Sequence, residues 1–404
     1  MASNAKNLAE LLNTDSTVAV ADVADGSITT AKLADDAVTN AKIGANAVGT
    51  TEIADDAVTS AKSDGSLGVG KNVIINGGMT VAQRGTSSTG IGASSGYFTT
   101  DRWKIDVNNS GGRFTMSQDS SAPDGFANST KLACTTADTS IAADELFIFQ
   151  QRIEGKNLQH FAKGTSSAKV FALSFYVKGN AAATYTAELY DNDNSRHISK
   201  TFSVTTSWNR VSLLYPADTT GAFGNDSGNS MNLNIWIHAG SNFTSGTLQQ
   251  SSWASATTAN RVSSSNTSFV DSTSRTFSIT GVKLEPVQVT DFENESFERT
   301  VAKCVRYFNF IRHGGVGANA GYNNSYANYY PVGHMRATPT VTRSNGADPM
   351  TDGNFTCYPG GTAVAVALGS SHETENGFTT ARVHAIGTNS YNYMEGYLAI
   401  DSEL

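Results

Sequence analysis

Near the start of the chain, large apolar residues recur every five positions with alanine and threonine between them. From residue 16 the sequence stacks as five ten-residue units: STVAVADVAD, GSITTAKLAD, DAVTNAKIGA, NAVGTTEIAD and DAVTSAKSDG. Val18, Ile28, Val38, Val48 and Val58 share one column, and Val23, Leu33, Ile43 and Ile53 another. On an α-helix a five-residue step advances about 500°, so the stripe would spiral away from any one face. On a strand an odd step puts successive apolar residues on opposite faces. A short strand-and-turn unit repeated along an axis satisfies both columns if equivalent chains wrap about it, because repeat arrays close their core through neighbours. The simplest neighbours are two more copies, which predicts an intertwined homotrimeric stalk over 16–66. The alternative for so small-residue a segment is a disordered low-complexity linker.

A glycine-rich joint, SDGSLGVG, follows, and the pattern then changes to period two. In VFALSFYVKG, Phe171, Leu173, Phe175 and Val177 alternate with Ser174, Tyr176 and Lys178, which predicts a strand with one face inward. YTAELYDNDNSRHISKTFSV reads as two strands around a turn, and WNRVSLLYP, NLNIWIHAG and RTFSITGVKLEP add more. So many short strands over 70–295 predict a two-sheet β-sandwich. The period lengthens again at SFERTVAKCVRYF. There Phe297, Val301, Cys304, Val305 and Phe308 form a helical stripe, with Ser296 as N-cap. Short strands return to the end, so 296–404 reads as a short helix plus a small C-terminal β domain. Residues 1–15 carry Leu8, Leu11 and Leu12 on one side of a possible short helix, either a docking peptide or a fraying end. The fold class is mainly β throughout.

Composition narrows the function classes. Of 404 residues, 39% are hydrophobic and only 16% charged, a balance suited to β-rich extracellular or virion surfaces. The net charge of −8 with no lysine or arginine block leaves no electrostatic footprint for nucleic acid. Three scattered cysteines (Cys134, Cys304, Cys357) make neither a disulfide framework nor a metal set, and read as free, mostly buried thiols. The opening residues lack a signal-peptide pattern and no apolar run is long enough to span a bilayer. These features predict release by lysis as part of a particle, with no membrane insertion and no cofactor.

Candidate chemistry is sparse. In NLNIWIHAG, Leu233, Ile235 and Ile237 alternate with Asn232, Asn234, Trp236 and His238. If the aliphatic face points inward, Trp236 stands between amides and an imidazole, as a sugar site requires: an aromatic plane for C–H faces and fixed partners for hydroxyls. The other reading is that a loop or neighbouring protomer covers this face. Tyr322, Tyr326, Tyr329 and Tyr330, with Asn323, Asn324 and Asn328, form a tyrosine–asparagine loop of the kind recognition surfaces use, or else a strand pair packed in a trimer. Asp191–Asn194 mimics the start of a calcium loop but lacks the later glycine and glutamate, so a hairpin turn is expected. Trp103 and Trp208 read as core residues, and Asp101–Arg102 as a structural ion pair. No nucleophile or phosphate-loop motif occurs.

The phrases NVIINGGMTVAQRGTS, GYFTTDRW, GVKLEP, VTDFE and ERTVAKCVRYF occur in that order, and the chain ends GYLAIDSEL. In this order, and with the stalk repeats, the chain resembles bacteriophage tail-fibre proteins that carry a carbohydrate-binding-module-like jelly roll. The resemblance covers most of the chain beyond residue 70. It implies a non-enzymatic virion fibre or spike that docks on other virion proteins through its N-terminus and adheres to a host surface glycan. The short N-terminus departs from the large attachment domains of many such fibres. Two rivals remain: a purely structural virion protein without receptor binding, and a polysaccharide depolymerase with a carboxylate pair about 5–10 Å apart. The far end of a fibre carries recognition, so residues 312–404, with Tyr326 and Tyr329 foremost, are the expected host contact.

Overall fold

The computed structural model describes residues 72–317, 324–329, 335–344, 355–359, 364–366, 368–373, 379–384 and 392–404, with Thr29, 33–34, 37–39 and Ile43 from the repeats. In most of the strand residues beyond Phe310 only backbone and pairing are given. The chain divides into two units, Met1–Leu67 and Gly68–Leu404. In the first, the described apolar repeat residues Leu33, Val38 and Ile43 are 44%, 53% and 44% exposed on the single chain. The stalk's packing lies outside the described residues.

The second unit opens with strands β1 (Ser87–Ile91), β2 (Gly96–Tyr97), β3 (Lys104–Asn108), β4 (Arg113–Asp119), β5 (Ser129–Thr136) and β6 (Leu146–Glu154). It continues with β7 (Phe171–Gly179), β8 (Ala183–Asp191), β9 (Arg196–Val204), β10 (Asn209–Tyr215), β11 (Asn229–Ala239), β12 (Ala254–Ser255) and β13 (Thr276–Pro286). One sheet runs β1-β4-β5-β13-β7-β10 and the other β12-β9-β8-β11-β6-β3-β2, and every pairing is antiparallel. Aromatic pairs bridge the two: Phe175 on β7 with Phe202 on β9 at 5.0 Å, Phe277 with Tyr185 at 5.5 Å, and Phe114 with Phe147 at 5.3 Å. The structure is therefore a two-sheet sandwich, and the period-two residues Phe171, Leu173, Phe175, Val177, Leu233, Ile235 and Ile237 all lie in its core.

The opening motif packs as structure. A Cβ on Gly77 would stand 2.1 Å from the Val282 carbonyl oxygen, so only glycine lets this segment cross β13. Trp103 is buried, stacks on Phe149 at 4.6 Å and donates its Nε1–H to the Asn76 carbonyl. Trp208 is only partly buried, since it precedes β10 at the sandwich margin. Asp101 and Arg102 are not paired with each other. Asp101 accepts from the Gln83 backbone N–H and side-chain amide, while buried Arg102 pairs with Glu403 and lies 3.5 Å over the Tyr307 ring. Arg84 likewise reaches Asp401 at 3.0 Å and covers Phe308. The two motif arginines thus hold residues 401–403 against the sandwich.

The Asp191–Asn194 cluster is a hairpin turn between β8 and β9, its Asp191 Oδ1 accepting from the Asn194 N–H. The carboxylate's other oxygen lies 2.6 Å from the buried ammonium of Lys163, which also reaches Asp218 and the carbonyls of Thr220 and Gly221. Arg196 also pairs with Asp218 through two nitrogens at 2.8 and 3.1 Å, so two carboxylates meet two cations and their charge is compensated.

Helix α1 (Phe297–Val305) starts where expected, with the Ser296 side chain accepting from the Arg299 N–H. Cys304, Val305 and Phe308 are buried, but Phe297 at the head of the stripe is 58% exposed. The first turn extends beyond the surface that buries the last. Eight strands follow: β14 (Phe308–Gly317), β15 (Asn324–Tyr329), β16 (Thr340–Ser344), β17 (Phe355–Pro359), β18 (Val364–Val366), β19 (Leu368–Glu373), β20 (Thr379–His384) and β21 (Asn392–Asp401). β21 pairs with β14, β16 and β17 in a five-stranded sheet completed by β18, and β15-β20-β19 form a smaller one.

Candidate functional site

The outward face of the seven-stranded sheet carries the polar residues that strand parity assigns to it. Register sets Arg152, Asn232, Tyr190 and His197 in one row across β6, β11, β8 and β9. Lys104, Gln150, Asn234, Glu188 and Ser199 form the next, and Ile148, Trp236 and Thr186 the one beyond. A relay of hydrogen bonds fixes the middle row. Arg152 Nε donates to Gln150 at 2.8 Å, Gln150 to Asn234 at 2.6 Å, and Asn234 to Glu188 at 2.9 Å.

Glu188 is the hub. Its carboxylate also accepts from Trp236 Nε1 at 2.8 Å and from Arg261 through two nitrogens at 2.8 Å, and His197 Nδ1 lies 3.2 Å away. Burial alone would raise this carboxyl, but Arg261 and the convergent hydrogen bonds outweigh it and bring the pKa down to about 2. An acid so fully ionised and so saturated with donors cannot supply a proton at neutral pH. Asp101 is the one described carboxyl lifted by burial, to about 6. It is completely buried beneath Gln83, which also donates to the Phe308 carbonyl, so no substrate reaches it.

The expectation that Trp236, Asn234 and His238 stand on an open face is corrected here. All three are buried. The connection from Gly240 to Arg275 folds back over this half of the sheet. Its Phe243 packs on Trp236 at 5.1 Å, Val262 joins the same small cluster, and the Arg261 guanidinium lies 4.9 Å over the indole. His238 is held between Ser268 at 2.9 Å and Glu145 at 3.0 Å, and burial lowers its pKa despite that carboxylate. Parity identified the face correctly, and of its two readings the covering loop is the one that holds, here a long connection with its own apolar residues.

The tyrosine–asparagine segment is also corrected in part. Residues 324–329 are not a loop but β15, paired with β20 so that Tyr326 opposes Arg382 and Tyr329 opposes Thr379. Tyr322 and Tyr330 lie outside the described residues.

What stays open is the strip between the cover and the C-terminal residues. Tyr190 is partly buried, with Arg261 4.7 Å over its ring. Arg152, also partly exposed, is fixed by the Leu404 carbonyl at 2.9 Å. Between them Asn232 is buried and donates weakly to Asn192 at 3.4 Å; its side-chain oxygen, the Asn192 amide nitrogen and the Ser230 hydroxyl lie beneath the surface without a protein partner. Sequence reading passed over Tyr190, Arg152 and Asn192. The signal was their shared outward parity in LFIFQQRIE and ELYDN, visible only once the strands are set side by side. Among the described residues no group of three or more histidine, cysteine or acidic side chains could hold a metal ion, and none of their helices is long and apolar enough to cross a membrane.

No protein-family model and no curated protein matches the chain. Among solved structures it is similar to a family 30 carbohydrate-binding module (11% identity, 56% of this chain and 89% of that one, TM-score 0.29). It is also similar to a family 11 carbohydrate-binding module of a cellulosomal cellulase from Clostridium thermocellum (11%, 50% and 96%, 0.26). A third likeness is to the enzymatically active domain of tailspike protein 4 of bacteriophage CBA120 (14%, 54% and 22%, 0.29), of which this chain spans about a fifth.

Proposed function

We propose that the protein is a non-enzymatic, homotrimeric fibre or spike of a phage particle and binds a bacterial surface glycan on its sandwich. The observation that carries the glycan reading is the strip of Tyr190, Arg152, Asn232 and Asn192. It offers a partly exposed aromatic ring beneath Arg261, one cation, Arg152, held by internal partners, and the half-buried Asn192 amide at the turn. Sugar hydroxyls match that mixture of donors and acceptors, and the ring's free area takes a C–H face. The phage assignment rests on the order of motif phrases and on the repeats, whose exposed Leu33, Val38 and Ile43 call for neighbouring chains. Three chains per fibre multiply contacts that are individually weak. The non-enzymatic reading is supported by Glu188, which is ionised, and by Asp101, which is sealed. The tip around β15 remains a second surface on this reading.

Glycan-array screening of the full chain, followed by titration of the best oligosaccharide, tests the strip. Tyr190→Ala and Arg152→Gln are each expected to weaken binding by about 1–3 kcal/mol with the melting temperature preserved, on the scale of aromatic stacking and of hydrogen bonds to charged groups. Unchanged affinity in both variants would move the site elsewhere.

A further inference from the structure

A trench runs between the opening segment and helix α1, away from the strip. Its first part, about 540 Å³, has Gly77 and Gly78 as floor, Phe292 as one wall and Asn294, Glu295 and Arg299 at the rim. The Phe292 ring lies 3.8 Å from where a Gly78 Cβ would be, so the ring packs directly on the glycine backbone and forms one side of this part. The second part, about 440 Å³, adjoins it and shares Asn72 and Lys303. Each volume is in the range of small-ligand sites, ~300–1,000 Å³.

The two parts differ in charge. Among its described residues the second part is lined by Lys156, Lys303, Arg306, His160 and Tyr307, and by no acid. Glu154 is buried behind them and already accepts from Arg306 at 2.8 and 3.0 Å and from the Tyr307 hydroxyl. Lys156 reaches it only at 4.0 Å, with its side chain 44% exposed. Lys303 turns to Glu295 of the first part and is 34% exposed. In a chain of net charge −8, three cations thus converge on one half of a trench whose other half sets Glu293, Glu295 and Arg299 beside the Phe292 ring.

We propose that this trench is a second ligand site, for an acidic oligosaccharide. Its carboxylate or phosphate lies among Lys156, Lys303 and Arg306, and the adjoining sugar lies in the first part, beside Phe292 and Asn294. The anion competes with Glu295 for Lys303, a partly exposed and therefore weak pair. The site does not depend on the sheet-face strip.

The test titrates the full chain with tetragalacturonate, with a glycerol-phosphate tetramer, with neutral maltotetraose and with tetraglutamate. At least one of the two acidic probes that carry carboxylate or phosphate on a polyol or sugar frame is expected to bind, at least tenfold more tightly than maltotetraose and tetraglutamate. The carboxylate and phosphate arms tell which anion is preferred. Affinity should fall at least tenfold in Lys156→Gln/Lys303→Gln and recover in Lys156→Arg/Lys303→Arg. In the unaltered chain, the bound probe should slow acetylation of Lys156 and Lys303, a readout that needs no variant to fold. Equal binding by tetraglutamate, no binding by either acidic probe, or unchanged acetylation of both lysines in the complex would each overturn the assignment.

Discussion

Trp236 illustrates how one residue's role depends on what lies above it. Its aromatic ring, flanking amides and outward parity match a sugar platform, yet its indole N–H is spent on Glu188 and its ring on Phe243 and Arg261. A tryptophan so enclosed contributes as core. Trp236→Ala is expected to destabilise the protein by about 3–5 kcal/mol, read as a shift in the urea midpoint at constant slope. A loss below 1 kcal/mol would mean that the cover is readily displaced. Tyr190, two residues along β8 from Glu188, keeps part of its surface exposed beneath the Arg261 guanidinium.

At the scale of elements, the connection between β11 and β13 behaves as a clasp over the sheet, and its attachment is ionic. Arg261 anchors it to Glu188, and Phe243 and Val262 seat it on Trp236. The folded Glu188 carboxyl lies at about 2, below its ordinary 4.5, so its contribution is complete above about pH 4.5 and is lost as pH falls toward 2. His238, lowered by burial, adds a loss that begins as pH falls below 6.5. Asp101, raised to about 6, works in the opposite sense between that pH and 3.8. The steep acid limb is therefore expected below pH 4.5. Urea midpoints between pH 7 and 2.5 should show it, and Glu188→Gln should flatten it by on the order of 3 kcal/mol. An identical acid limb in that variant would detach Glu188 from the clasp's stability.

At the scale of the molecule, Leu33, Val38 and Ile43 lie exposed on a single chain, and two more copies would cover them. Light scattering on the full chain should give about three times the chain mass, and a monomeric mass at micromolar concentration would remove the stalk reading. The alternation of apolar and polar residues by itself determined that the region beyond residue 70 is strand-built, which residues of β7 and β11 face inward, and where helix α1 begins. Those are local properties, set by side-chain period and by an N-cap within three residues of its partner. The partners of Arg102 and Arg84, the enclosure of Trp236 and the placement of Lys163 between Asp191 and Asp218 were decided only by the tertiary structure. Each joins residues tens to hundreds of positions apart, and no period in the chain encodes which distant segment will arrive. The candidate strip belongs to the same class. Tyr190, Asn192, Arg152 and Asn232 come from three strands and a turn, and they become a site only because antiparallel register sets them side by side while Tyr190, Asn192 and Arg152 stay partly exposed.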